Sequence, residues 1–135
     1  MHSLRRDSLR LRSEALRKTL AGLAESGTPL IVEGVRDRAS LLRAGVQNKA
    51  FTVNQSPQRV AERVAREADE AIVLTDFDAT GEELAGRMAE ALEAACVKPD
   101  LEVRRRLRGI LGLRYFEEFD RKAVELEEKL RECER

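Results

Sequence analysis

The chain predicts an α/β fold: a parallel four-stranded sheet with helices on both faces. Three observations carry that expectation. Short apolar runs alternate with stretches of helical spacing through the middle of the 135 residues, the pattern of βα units joined by right-handed crossovers. Two runs, Pro29-Leu30-Ile31-Val32 and Ala71-Ile72-Val73-Leu74-Thr75, lack the polar alternation of a one-sided strand and read as strands covered on both faces. Both end in acids, Glu33-Gly34 and Asp76-Phe77-Asp78-Ala79-Thr80-Gly81, and ligands of such sheets gather beyond the strands' carboxyl ends.

Taken in order, residues 3–26 read as a helix, with Leu9, Leu16, Leu20 and Leu23 on one face and Gly27-Thr28-Pro29 as the stop. Its other face carries Arg5, Arg6, Arg10, Arg12, Arg17 and Lys18, either a groove for RNA or a solvated face paired with the acidic last helix. A strand at 30–33 precedes a helix from Arg36 to Arg43 closed by Gly45, and Lys49-Ala50-Phe51-Thr52-Val53 is the second strand. Ser56-Pro57 opens the next helix as an N-cap followed by proline at the first helical position, with Val60, Val64 and Ala68 buried. After the third strand, Thr80-Gly81-Glu82-Glu83 has the form of a capping box, and its helix should bury Leu84, Met88, Leu92 and Ala95. Lys98-Pro99-Asp100 is expected to break that helix, and Leu101-Glu102-Val103 to begin a fourth strand running into Arg104-Arg105-Arg106. From Phe116 the apolar positions Phe119, Ala123, Leu126, Leu130 and Cys133 make a seam, expected to pack on the first helix rather than on a partner. The expected division is an N-terminal helix (1–27), a central domain (28–110) and a C-terminal helix (111–135).

The acids carry the chemistry. Asp76 and Asp78 are two apart, so in extended chain both face the same way. Glu33 closes the first strand, and three carboxylates at one edge repel one another unless a cation sits among them. Oxygen donors without His or Cys suit Mg²⁺ or Mn²⁺. Gly34 is expected to turn the chain tightly and admit a phosphate or metal, and Thr80 and Gly81 put a helix amino terminus beside the acids.

Ile31-Val32-Glu33-Gly34-Val35-Arg36-Asp37 and Leu74-Thr75-Asp76-Phe77-Asp78-Ala79-Thr80-Gly81 together resemble the Toprim (Rossmann-like) domain of topoisomerases, bacterial-type primases, recombination-repair proteins and small nucleases of ribosomal RNA maturation. The resemblance covers about residues 28–107. It implies that the first and third strands are neighbours, that Asp76 and Asp78 hold Mg²⁺, and that Glu33 acts as general acid or base or helps hold the metal. Asp37 matches a position where the family often has an acid, though in a helix's first turn it equally stabilises the dipole. Small members often have Lys after Glu-Gly; here Val35 and Arg36 follow. The further domains of topoisomerases and primases do not fit in this length, and Tyr115, the only tyrosine, is poorly placed as a nucleophile. The chain looks most like the small stand-alone Toprim proteins of archaea and bacteria.

Composition narrows the partners. With 25 basic and 25 acidic residues, no global field drives nucleic-acid binding, so a local patch is required. Twenty of the basic residues are Arg, which favours bidentate contacts with carboxylate or phosphate, and a charge-rich surface also suits a heat-adapted protein. In a strand, Arg104 and Arg106 would share a face, as a phosphate strip beside the metal or as charge protecting a sheet edge. Expected phosphate contacts are thus Gly34, Arg36, Thr80, Gly81, Arg104 and Arg106. Phe51 and Phe77 are expected in packing rather than as base-stacking platforms. The only histidine is at position 2, which leaves no Ser-His-Asp arrangement. Cys96 and Cys133 lack zinc or disulfide spacing and are expected reduced and half-buried. With neither a signal peptide nor a membrane span in evidence, a cytoplasmic protein is expected. The expected function is Mg²⁺-dependent phosphodiester cleavage of nucleic acid, RNA ahead of DNA. The alternative is a non-catalytic metal- and nucleic-acid-binding module or a subunit of a larger RNA or DNA machine, and under either reading a homodimer or a larger protein assembly is open.

Overall fold

The computed structural model describes residues 2–54 and 56–134. Met1, Gln55 and Arg135, and with them the outermost positions of the expected 1–27 and 111–135 segments, lie outside the described residues, as do the side chains of His2 and Ser3. The order is α1 (His2–Ser26), β1 (Leu30–Val32), α2 (Val35–Arg43), β2 (Ala50–Thr52), α3 (Pro57–Ala65), β3 (Glu70–Val73), α4 (Ala79–Ala94), β4 (Lys98–Asp100), α5 (Glu102–Leu111), a 3₁₀ turn (Phe116–Glu118) and α6 (Phe119–Glu134). All strand pairings are parallel, in the order β2-β1-β3-β4. Leu30 pairs with Ile72 and Ile31 with Val73, so the first and third strands are neighbours.

Side chains alternate across a strand, and the two faces bury two separate cores. Leu30, Val32, Ile72 and Leu74 join Leu9, Leu16 and Leu23 of α1, Leu41 of α2, Leu107 of α5 and Leu126 and Leu130 of α6. Ile31, Phe51, Ala71 and Val73 meet Val60 and Val64 of α3 and Ala85, Met88 and Leu92 of α4. The α6 seam therefore packs on α1. Arg10 and Arg17 pair with Glu134 and Glu127 of α6 at 3.5 and 3.1 Å, as a charged face matched to the acidic last helix. Ser40 and Arg43 of α2 hold Asp120 at the start of α6, at 2.8 and 2.6 Å.

Five expectations need correction. The fourth strand is Lys98–Asp100, and Arg104-Arg105-Arg106 lies on a helix. Pro99 is tolerated because β4 is an edge strand. Asp100 Oδ1 accepts from the N–H groups of Glu102 and Val103 at 2.8 and 3.3 Å, capping α5, whose Leu107, Ile110 and Leu111 are buried. The N-cap of α4 is Asp78, not Thr80, since the Asp78 carboxylate accepts from Gly81 N–H at 2.8 Å. In α4 Ala85 is buried while Leu84 is only half-buried. Cys96 is exposed, at φ 62° just past the α4 C-cap. Gly34 has an extended backbone (φ −149°) with open space where a Cβ would lie, so its backbone does not require glycine.

Candidate functional site

The chain leaves β1 for β2 on one side and returns to β3 on the other, so the carboxyl ends of β1 and β3 form the sheet's switch point, where such folds take ligands. Glu33 follows β1 and Asp76-Phe77-Asp78 follows β3. Glu33 Oε2 accepts from the backbone N–H of Asp76 at 2.6 Å, linking the two strand ends directly. Asp76 Oδ1 accepts from Phe116 N–H at 2.7 Å, and Asp78 Oδ1 from Gly81 N–H at 2.8 Å. One oxygen of each carboxylate is thus fixed by a backbone donor, and among the described residues no basic side chain pairs with any of the three.

The like charges show in the energetics. Burial first, then the charge of Glu33 with a hydrogen bond between the two carboxyls, and the charge of Asp78, push Asp76 up to about 6 against the opposing pull of Phe116 N–H. Asp37 is also raised, by burial and then by Asp76, although Gly34 N–H stabilises its ionised form. Its Oδ2 accepts from Gly34 N–H at 3.0 Å, half of a capping box because Gly34 has no side chain to return the bond. Asp37 is therefore placed to support the loop after β1.

Four features hold the acidic loop. Arg104, only 6% exposed, reaches inward from α5 and donates to the carbonyls of Thr75 and Asp76 at 2.7 and 2.6 Å and to Glu82 at 2.8 Å. Its guanidinium lies 4.3 Å from the Phe77 ring centre, and Phe77 packs on Phe116. Thr75 Oγ1 donates to the carbonyl of Gly81 at 2.8 Å. A Cβ on Gly81 would come within 2.1 Å of the Asp76 carbonyl oxygen, so the loop and the first turn of α4 can close only over glycine. Phe77 N–H donates to the carbonyl of Arg114 at 2.8 Å.

The residues singled out in the sequence divide by place. Glu33, Asp76, Asp78, Gly34, Asp37 and Gly81 gather at the switch point. Arg36 and Thr80 are exposed in the first turns of α2 and α4. Arg104 is turned into the loop's support, and Arg106 sits elsewhere, in a depression shared with Lys18 and Asp100. Sequence reasoning missed the backbone donor at Phe116 and the cationic cleft that Arg105, Arg108 and Arg114 form beside Phe77. Helical spacing of Arg105 and Arg108 was the available signal for the cleft, hidden by reading α5 as a strand.

Among the described residues no three His, Cys, Asp or Glu side chains converge as a ready-made metal cage. Glu33 and Asp76 are in contact, with Asp78 at the far end of the loop. Magnesium keeps several waters and takes one or two protein carboxylates, so this hard, mutually repelling donor set fits Mg²⁺ or Mn²⁺. No helix among the described residues is long and apolar enough to cross a membrane.

Comparison with known proteins agrees with this geometry. The UPF0292 protein PH1700 of Pyrococcus horikoshii is 42% identical over 88 residues, 65% of this chain and 67% of its own. A UPF0292 protein of Methanosarcina barkeri is 37% identical over 103 residues, 73% of this chain and 72% of its own. A solved structure of a protein from Aquifex aeolicus superposes with a TM-score of 0.68 at 22% identity, covering 76% of this chain and 96% of that one, a likeness of fold. The family described as Toprim-like matches residues 30–106, which points to a metal-dependent function related to nucleic acids. That segment holds β1 to β4, the Glu33-Gly34 pair and the Asp76-Phe77-Asp78 loop, and on this footing the chain belongs to the Toprim-like family.

Proposed function

We propose that the protein is a cytoplasmic, Mg²⁺-dependent phosphodiesterase of nucleic acid, with RNA the preferred substrate. The observation that carries this reading is the meeting of Glu33 and Asp76 at the switch point, each with one oxygen anchored and, among the described residues, no basic side chain to neutralise it. Asp76 and Asp78, with help from Glu33, would hold the divalent cation, which would supply Lewis-acid polarisation of a phosphodiester oxygen. The chain's own contribution is a proton relay and a fixed geometry. Glu33, held against the Asp76 backbone N–H at the switch point, is placed to take a proton from an attacking water and return it to the leaving oxygen. The N–H groups of Phe116, Gly81 and Asp76 hold the carboxylates in place before substrate arrives, which limits reorganisation during reaction.

The test is cleavage of structured RNA and DNA panels by purified protein with Mg²⁺ or Mn²⁺, alongside Asp76→Asn and Glu33→Gln. Metal-dependent cleavage lost in both variants is expected. Intact panels with every divalent metal would overturn the reading. One observation favours a second reading, a non-catalytic metal- and nucleic-acid-binding module: only two of the three carboxylates are in contact. Binding without cleavage, together with a constant protein partner in native extracts, would select it.

A further inference from the structure

A cationic concavity adjoins the acidic loop. It encloses about 750 Å³ between α5 and the segment from Gly112 to Arg114, and Arg104, Arg105, Arg108 and Arg114 contribute to its wall. The one carboxylate in its lining, Glu82, is already taken by Arg104. Arg108 and Arg114 have no carboxylate within 4.0 Å among the described residues, and Arg105 has only a long contact of 3.5 Å with Glu102. Arg108 stands 5.4 Å from the Phe77 ring centre, and the Arg114 carbonyl accepts from Phe77 N–H. The cleft therefore shares Phe77 with the Asp76–Asp78 loop. Gly109 and Gly112 add no side chains to its wall, which leaves the backbone surface open. Arg108 and Arg114 lie beyond the segment that matches the Toprim-like family, whereas Phe77, Glu82, Arg104 and Arg105 of the same wall lie within it.

We propose that this cleft seats the phosphodiester backbone of a nucleic-acid strand, with Arg108 and Arg114 as the principal phosphate contacts and Arg105 as an outer one. The choice of nucleic acid among phosphate-bearing ligands rests on the reading of the acidic loop given above; the phosphate chemistry of the cleft does not. Planar guanidinium groups match phosphate oxygens two at a time, and the cavity is large enough for a stretch of strand rather than one phosphate. A strand lying there passes Phe77 and continues toward Asp76 and Asp78. Cationic cleft and acidic edge are then consecutive parts of one track: the first holds the strand, the second meets the next phosphodiester.

The experiment measures binding apart from chemistry. A short fluorescein-labelled single-stranded RNA is titrated with full-length protein in EDTA, and its anisotropy is followed across a salt series. For Arg108→Gln/Arg114→Gln the affinity should fall at least about tenfold. The slope of log K against log salt should shrink by about 1.4, since each lost phosphate contact on a single strand is worth roughly 0.7. Both side chains are exposed, and a thermal melt like that of wild type checks that the variant is folded. The control, Arg59→Gln/Arg87→Gln, removes the same charge from exposed positions of α3 and α4 and should leave both quantities unchanged. A control that weakens binding equally, or a cleft variant that binds like wild type, overturns the proposal. So does a wild-type protein that fails to bind the strand, or one from which a mononucleotide displaces it at equal concentration. Strand binding lost in the cleft variant without any metal-dependent cleavage by wild type keeps the cleft and removes the nuclease reading. Cleavage with unaltered strand binding does the reverse.

Discussion

Replacing Asp76 by Asn tests the electrostatics of the acidic edge most directly. In the metal-free protein Asp76 is pushed up from 3.8 to about 6, chiefly by burial and then by Glu33 and Asp78. An acid whose folded pKa exceeds its unfolded value binds its proton more tightly in the folded state. Its contribution to stability is present below the unfolded value and is lost as pH rises through the folded one, here between about 4 and about 6. A shift of roughly two units corresponds to about 3 kcal/mol at most. Asp76 is only partly buried, so solvent screening reduces this to about 1.5 kcal/mol. Asn keeps an oxygen for Phe116 N–H and removes the charge that Glu33 and Asp78 oppose. In EDTA the variant should therefore lie within about 0.5 kcal/mol of wild type near pH 4.5 and exceed it by about 1.5 kcal/mol at pH 8, or about 5 °C in Tm for a chain of this size. Magnesium at a hundredfold excess over its Kd should stabilise wild type at pH 8 by about 2.7 kcal/mol and the variant little. Urea and thermal melts at both pH values measure all of this. A variant less stable than wild type at pH 8 by the same amount as at pH 4.5 would refute the repulsion, and an undiminished Mg²⁺ response in the variant would remove Asp76 from the metal site.

Three further outcomes are expected from stability measurements on single variants. Two glycines of the same helix should behave oppositely: Gly86→Ala, with nothing within 4 Å of the new Cβ, should gain about 1 kcal/mol from helix propensity, whereas Gly81→Ala, driven against Asp76 O, should lose about 2 kcal/mol or more. Arg104→Met should cost about 3 kcal/mol, because two loop carbonyls lose a buried donor, and should weaken Mg²⁺ binding, while Glu82→Gln at the half-exposed end of that contact costs under about 1 kcal/mol. Asp78→Ala should cost about 1 kcal/mol in EDTA as a lost N-cap, and Thr80→Ala, exposed and making no cap, should stay within about 0.5 kcal/mol of wild type.

The central architecture was legible because two-sided burial writes itself plainly: Leu30-Ile31-Val32 and Ala71-Ile72-Val73 carry no polar alternation, and both cores use them. Glu33 and Asp76 were legible as neighbours because motif and strand order agree. The region after residue 98 was not, for an identifiable reason. Pro99 reads as a breaker in a sequence, yet an edge strand has a free side on which a missing N–H costs nothing. With that strand misplaced, the helical spacing of Leu107, Ile110 and Leu111 was hidden, and Arg104 was set on a solvent-facing strip rather than beneath the loop. The cap of α4 failed differently. Asp78 and Thr80 are both good N-caps, and only the position of Gly81 N–H over Asp78 decides between them. Long-range backbone donors such as Phe116 N–H leave no local trace at all.

That last donor changes how the site should be delimited. The family match ends at residue 106, but two of the hydrogen bonds that shape the acidic loop come from beyond it: Phe116 N–H to Asp76, and Phe77 N–H to the carbonyl of Arg114. Phe116 and Phe119 are fully buried. Phe77, Phe116 and Phe119 form a run of aromatic contacts at 5.7 and 6.4 Å, leading from the loop into the core that α1 and α6 share. The helix pair outside the matched segment is thus mechanically joined to Asp76. Helix α5 makes the same connection from the other direction, since Arg104 points inward to the loop while Arg105 and Arg108, one and four residues on, line the cleft. A chain cut after residue 106 would keep every acidic residue of the motif and lose the donor that fixes Asp76, the partner of Phe77 and the cationic cleft together. The residues that name the family and the residues that make its site in this protein are therefore different sets, and the second extends through residue 116.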